Sequence, residues 1–194
     1  MDGWWAASYV VLWVLVVVLA LVVVALARQI GTLHMRIGPH GALEIDTEGP
    51  PLGEPAESFE VEDISGEPVT VGGPGRPQLL LFISPGCQLC AQVLPSVDAV
   101  ASAGGMTPLV IADGDRHETL SSYSSRSWNA PLVPATRVAE SYEIPGTPYA
   151  VILDDLGIVR SKGTINNLEQ MEGLIDTAKK RLEESRRERQ AADV

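Results

Sequence analysis

Cysteine and histidine are both scarce in this chain. Its 194 residues include 2 cysteines, Cys87 and Cys90, and 3 histidines, none of which lies beside the cysteines. A structural zinc site needs four ligands, usually from two cysteine pairs or from cysteine and histidine at set spacing, so the sequence disfavours one. A c-type haem would require histidine directly after the second cysteine, where Ala91 stands instead.

Basic side chains are scarce between residues 37 and 178. That stretch has 20 acidic and 6 basic residues, and the whole chain has a formal net charge of -11. A surface this acidic repels nucleic acid and anionic lipid, so we expect no nucleic-acid partner. Most other cations, such as Lys179 and Arg187, fall in the last helical pattern, where they complement the C-terminal end of the dipole. We interpret residues 184–194 as a charged, solvated tail.

No lysine or arginine precedes the long apolar run of residues 4–27. A cleaved signal peptide has a basic start and an apolar stretch of about 7–15 residues, and this chain has neither. Roughly 20 apolar residues span the hydrocarbon layer as a helix, and the tryptophans near its start are typical of an interfacial belt. The run predicts a retained transmembrane helix, between a tail at residues 1–3 and a juxtamembrane segment and linker at residues 28–49.

The two cysteines form a C-x-x-C pair after an apolar strand pattern. Residues 79–83 predict a buried strand, and residues 88–103 predict a helix that a proline interrupts. At a helix N-terminus the unpaired backbone N–H groups and the dipole favour the thiolate of Cys87. Cys90 lies one helical turn away and can close the disulfide ring. This arrangement predicts thiol–disulfide exchange, with Cys87 and Cys90 as the catalytic residues.

Strand and helix patterns alternate along the chain. They predict strands at residues 58–61, 68–71, 79–83, 109–112, 149–153 and 158–161, and helices at residues 88–103, 116–128, 136–142 and 167–187. This order, with C-x-x-C after the first core strand, resembles the thioredoxin fold. We therefore expect an α/β domain over residues 50–183, with a central mixed sheet flanked by helices. The resemblance also implies a cis peptide bond before Pro148, and substrate binding by Thr147 and Pro148.

The whole chain resembles the MauD family of membrane-anchored accessory proteins for methylamine dehydrogenase maturation. The matching stretches are residues 27–34, 41–43, 84–90, 144–148, 157–163 and the closing helix. The resemblance implies a cysteine-containing client, namely the disulfide-rich small subunit of an amine dehydrogenase, and a separate redox partner protein. It implies no cofactor other than the Cys87–Cys90 disulfide. Because Gln88 replaces a proline common in thioredoxin-like sites, the direction of electron flow stays open.

Charges and resemblance disagree on the membrane orientation. Arg28 and Arg36 follow the apolar run and Asp2 precedes it, which favours a cytoplasmic domain under the positive-inside rule. Proteins of the MauD type work outside the cytoplasm, where disulfides persist. Since a difference of two positive charges favours one orientation only slightly, we follow the resemblance. The expected location is the cell membrane, with one span and an extracytoplasmic domain.

Other functions stay open for the cysteine pair. A thiol peroxidase of this fold has a proline where Leu80 stands here. Carriage of Cu(I) suits two thiolates, but copper-delivering relatives add a late histidine and none follows His117. A non-catalytic anchored scaffold, or a purely structural disulfide, needs no exchange chemistry. No acid lies in residues 79–84 to take the proton of Cys90, which leaves water or Glu118 for that role.

Overall fold

The computed structural model describes residues 3–36, 47–123 and 128–192, and the chain divides into two units, Met1–Pro39 and His40–Val194. The first unit contains the helix α1 (Gly3–Arg36). Its segment Gly3–Val23 has a mean hydropathy of 2.8 and is long and apolar enough to cross a membrane. The helix break expected at residues 38–41 lies outside the described residues.

The second unit is built on a five-stranded mixed sheet. Two short strands, β1 (Phe59–Glu62) and β2 (Pro68–Val71), form a separate antiparallel hairpin. The main sheet consists of β3 (Gln78–Ile83), β4 (Thr107–Ala112), β5 (Leu132–Pro134), β6 (Tyr149–Leu153) and β7 (Val159–Thr164). Its spatial order is β5-β4-β3-β6-β7. Strands β3, β4 and β5 are parallel, while β6 pairs antiparallel with both β3 and β7.

In the described part of this unit five helices accompany the sheet: α2 (Gln88–Val93), α3 (Val97–Gly104), α4 (Arg116–Ser122), α5 (Thr136–Ser141) and α6 (Leu168–Ala192). The helix expected over residues 88–103 is divided by a 3₁₀ turn at Leu94–Ser96, because Pro95 has no N–H to donate. Helix α4 ends at Ser122, well before the expected residue 128. Helix α6 begins after Asn167, whose Oδ1 accepts from the Gln170 N–H at 2.9 Å, and it continues past the expected residue 187.

Both faces of the sheet are buried, which explains the continuous apolar run of β3. Leu79, Leu81 and Ile83 face a core shared with α2, α3 and α6. Leu80 and Phe82 face the opposite core, shared with α5 and the β1–β2 hairpin. Successive side chains of a strand point to opposite faces, so a strand covered on both sides needs apolar residues throughout. Strand β3 therefore lies at the centre of the domain and ends at the cysteine motif.

The two edges of the sheet differ from the sequence-based expectation. Strand β5 was not predicted, because it has only three residues and prolines at 131 and 134 interrupt its strand pattern. At the other edge, residues 53–56 lie along the start of β7. The Gly53 N–H donates to the Val159 carbonyl at 2.9 Å, and the Val159 N–H donates to the Glu54 carbonyl at 3.0 Å. Hydrogen bonds therefore attach the segment before β1 to the domain.

Candidate active site

A tight turn connects the end of β3 to the start of α2. The Cys87 N–H donates to the Ser84 carbonyl at 3.2 Å and closes the turn. Pro85 and Gly86 occupy its two central positions, and Gly86 has a φ of 75°. Proline followed by glycine at positive φ is the pattern of a type II turn. The turn places Cys87 at the N-cap of α2.

Cys87 and Cys90 are joined by a disulfide, with their Cα atoms 5.3 Å apart. Cys90 is fully buried, whereas Cys87 is partly exposed, so an incoming sulfur atom reaches Cys87 first. The Cys87 Sγ accepts a hydrogen bond from the Cys90 N–H at 3.1 Å. In the reduced protein the same donor would stabilise a thiolate on Cys87. The geometry therefore distinguishes an attacking cysteine from a resolving one.

The loop before β6 lies against the disulfide. Its Thr147–Pro148 peptide bond is cis, as the resemblance implied. The Thr147 carbonyl oxygen lies 3.9 Å from the Cys87 Sγ. The Thr147 and Ser84 hydroxyls are hydrogen-bonded to each other at 2.7 Å, which joins this loop to the cysteine turn. The structure thus brings together the four residues that the sequence singled out, although 57 positions separate Cys90 from Thr147.

A buried tyrosine that the sequence analysis did not identify completes the site. The Tyr123 phenol donates to the Ser84 carbonyl at 2.7 Å. Its ring packs edge-on against Trp128, with the ring centroids 5.9 Å apart. Burial raises the pKa of Tyr123, so the phenol remains a hydrogen-bond donor at neutral pH. Tyr123 directly follows α4, and nothing in the weak helical pattern there indicates that its side chain contacts the cysteine turn.

The buried carboxylates of the described residues have partners away from the cysteines. They are Asp63, which accepts from Ser65 Oγ at 2.6 Å, and Asp154, which pairs with Arg160 at 2.7 Å. Glu118, considered above as a proton acceptor, is exposed on α4. Within residues 47–123 and 128–192, no hydrogen bond joins it to Cys90, and no three His, Cys, Asp or Glu side chains converge as metal ligands would.

Curated proteins similar to this chain carry one name. The methylamine utilization protein MauD of Methylobacillus flagellatus is 37% identical over 186 residues, which cover 92% of this chain and 88% of that protein. The protein of the same name from Methylophilus methylotrophus is 37% identical over 180 residues, with 91% and 85% covered. That of Methylorubrum extorquens is 34% identical over 178 residues, with 89% and 86% covered. No family model matches the chain.

Solved structures similar to the chain are thioredoxin-like. A candidate protein disulfide isomerase from Bacteroides thetaiotaomicron superposes with a TM-score of 0.59 at 19% identity, covering 73% of this chain and 98% of that one. A candidate thiol:disulfide interchange protein DsbE from Chlorobium tepidum gives a TM-score of 0.57 at 18% identity, with 69% and 99% covered. At these identities the likeness shows the fold, and the predicted thioredoxin-like α/β architecture is confirmed.

Proposed function

The chain belongs to the family of the methylamine utilization protein MauD, and from this membership we propose that it is a membrane-anchored thiol–disulfide oxidoreductase acting on a client protein. One observation carries the proposal. A partly exposed Cys87 is disulfide-bonded to a buried Cys90 at a helix N-terminus, beside the loop of Thr147 and Pro148. A purely structural disulfide needs neither an exposed sulfur nor an N–H donor directed at it.

The proposed exchange begins with attack on Cys87. In the oxidising direction a client thiolate bonds to the Cys87 Sγ, the Cys87–Cys90 bond breaks, and Cys90 leaves as a thiolate. Since the described structure has no buried acid bonded to Cys90, water supplies its proton. A second client thiolate then attacks the client sulfur of the mixed disulfide and releases Cys87. The client gains one disulfide, and two electrons remain on Cys87 and Cys90.

The two electrons must leave before a second turnover. A disulfide-bearing redox partner protein accepts them and restores the Cys87–Cys90 bond. In isomerisation the cycle is electron-neutral, because reduced Cys87 attacks one client disulfide and another client thiolate releases it. When no client thiolate does so, Cys90 attacks Cys87 Sγ and resolves the mixed disulfide. Cys87 is thus the nucleophile and Cys90 the resolving thiol, with no cofactor besides their disulfide.

The proposed client is the small subunit of an amine dehydrogenase, and methylamine dehydrogenase in particular. The name of the relatives ties them to methylamine utilization, and a protein of thioredoxin-like fold with this site requires a client that has cysteines. We propose that Thr147 and Pro148 shape the groove in which the client backbone docks. Their position against Cys87 supports this, because a mixed disulfide on Cys87 must lie beside the Thr147 carbonyl.

The proposed location is the cell membrane, with the thioredoxin-like domain on the extracytoplasmic side. The segment Gly3–Val23 supports an anchor by its length and composition. The side is supported by chemistry, since disulfides persist outside the cytoplasm. A fusion of alkaline phosphatase after residue 194 should be active. An inactive phosphatase, together with fluorescence from a cytoplasmic reporter fused at the same position, would show that the domain is cytoplasmic and contradict the proposed orientation.

Trapping a mixed disulfide tests the mechanism. Cys90→Ser removes the intramolecular escape route, so it should accumulate a covalent client adduct through Cys87 in membranes from an amine-grown host. The matched variant Cys87→Ser should accumulate little, because its nucleophile is missing. Non-reducing gels would show the adduct, and mass spectrometry would identify the client.

The controls separate exchange from the alternatives. The adduct of Cys90→Ser must disappear on reduction with dithiothreitol. If neither variant forms a thiol-sensitive adduct while the client still matures normally, the chain is a scaffold whose cysteines do no exchange. An adduct that contains a cysteine protein other than an amine dehydrogenase subunit would retain the exchange chemistry and reject the proposed client.

A further inference from the structure

Tyr123 is connected to both backbone segments that meet at the disulfide. Its phenol donates to the Ser84 carbonyl at 2.7 Å, and the same carbonyl accepts the N–H of Cys87 at 3.2 Å. The side chain of Ser84 bonds to Thr147 Oγ1 at 2.7 Å. One residue, Ser84, therefore links the tyrosine, the cysteine turn and the Thr147 loop. The Thr147 carbonyl, at the end of this chain of contacts, lies 3.9 Å from the Cys87 Sγ.

We propose that Tyr123 is a positioning residue for thiol–disulfide exchange, which holds the Ser84 peptide so that Cys87 and the Thr147 carbonyl keep their relative placement. This inference rests on the proposed function and deepens it. Among the described residues the Tyr123 phenol is hydrogen-bonded to the Ser84 carbonyl and to neither cysteine sulfur, so it acts through Ser84. Without the phenol, the Ser84 carbonyl keeps the Cys87 N–H as its partner, but the turn loses its connection to the segment after α4.

The surroundings of Tyr123 suit a fixed donor. The side chain is buried, and Trp128 packs edge-on against its ring. Such an aromatic pair holds the ring in place independently of the hydroxyl group. Tyr123→Phe therefore removes one hydrogen bond and leaves the packing of the ring unchanged. This makes the hydroxyl a separable part of the site.

Tyr142 provides a matched control. Its buried phenol donates to the Glu57 carbonyl at 2.8 Å, so Tyr142→Phe also removes one phenol–carbonyl hydrogen bond. Tyr142 packs in the core on the opposite face of the sheet from Tyr123 and the cysteines. A general loss of stability should affect the two variants alike, whereas a positioning effect should appear only in Tyr123→Phe.

The test uses the reduced full chain in detergent, with oxidised glutathione as the disulfide probe. Cys87 attacks the probe and releases one glutathione thiolate, then Cys90 releases the second and the protein disulfide re-forms. For Tyr123→Phe we expect the rate constant for oxidation by glutathione disulfide to fall about 3- to 10-fold. A fall of this size corresponds to the loss of one neutral hydrogen bond that stabilises the transition state. The pH profile of Cys87 alkylation should also move to higher pH. Tyr142→Phe should change the exchange rate constant by no more than about twofold and leave the pH profile of Cys87 alkylation in place, because its hydrogen bond lies outside this chain of contacts.

A double-mutant cycle tests whether Tyr123 acts through Ser84. Ser84→Ala removes the hydroxyl that bonds to Thr147, and it should slow exchange as well. If the contacts act as one unit, the double variant should be no slower than the slower single variant. Additive effects, or a Tyr123→Phe rate equal to that of Tyr142→Phe, would overturn the inference and leave the proposed function standing. Wild-type exchange no faster than that of Cys87→Ser would refute the proposed function, and the inference would fall with it.

Discussion

Reduction of the Cys87–Cys90 bond should produce two thiols of very different reactivity. Cys87 is partly exposed and accepts the Cys90 N–H at 3.1 Å, while Cys90 is fully buried in the apolar core. Burial in apolar surroundings disfavours a thiolate, whereas an N–H donor at a helix N-terminus favours one. We therefore expect the pKa of Cys87 to lie below the free-thiol value of about 8.5.

The hydrogen bond from the Cys90 N–H to the Cys87 Sγ contributes most to the expected lowering of the Cys87 pKa. A hydrogen bond to a charged group contributes about 1.5–3 kcal/mol, and the helix N-terminus about 0.3–1 kcal/mol. Partial burial of Cys87 offsets part of this. A net 1.4 kcal/mol would enlarge the thiolate population about tenfold relative to an unperturbed thiol. Intrinsic nucleophilicity falls as the pKa falls, with a Brønsted coefficient of about 0.4–0.5, so at neutral pH the rate gain is smaller than the gain in thiolate.

Iodoacetamide alkylation followed over pH measures both thiols. The single-cysteine variants Cys90→Ser and Cys87→Ser report on one thiol each, so the two rates need no deconvolution. At pH 7 we expect Cys87 to react at least about tenfold faster than Cys90, because thiolate population and exposure act in the same direction. Equal rates, or a Cys87 midpoint at the free-thiol value, would refute the helix-terminus argument. Such a result would favour a structural disulfide.

Two further predictions concern stability. A Cβ on Gly157 would lie 2.6 Å from backbone atoms of Gly73 at a φ of 75°, whereas Gly66 has a φ of 88° and open space. Thermal unfolding should therefore show that Gly157→Ala lowers the free energy of unfolding by about 3 kcal/mol, and the control Gly66→Ala by about 1 kcal/mol. Equal losses of stability in the two variants would refute the clash. Burial raises the pKa of Asp63, but hydrogen bonds from Ser65 Oγ and neighbouring backbone N–H groups outweigh it, so the pKa lies below its usual value. Because the folded pKa is lowered, this contribution to stability is present above the unfolded value of about 3.9 and is lost as pH falls through the folded pKa. Urea titrations should show a shallower acid loss for Asp63→Asn, and an unchanged pH dependence would contradict this account.

Local patterns predicted the elements that carry the chemistry. The apolar run of β3 and the cysteine spacing lie within one short stretch, so local apolar pattern and motif spacing identify them. Strand β5 was not predicted, because a three-residue edge strand with prolines has almost none of the residue pattern that indicates a strand. The end of α4 was placed too late, since residues 123–130 contain no glycine or proline to mark a stop.

The contacts that hold the site together are long-range, and no local pattern encodes them. Thr147 lies 63 residues from Ser84, and Tyr123 lies 39 residues from it. Both contacts form only when the end of α4 and the loop before β6 meet at the carboxyl end of the central strand β3. A C-x-x-C motif therefore identifies the chemistry but does not determine how firmly the attacking sulfur is held. Two chains with the same Cys-Gln-Leu-Cys sequence should differ in exchange rate when one lacks the Tyr123 phenol or the Ser84–Thr147 bond.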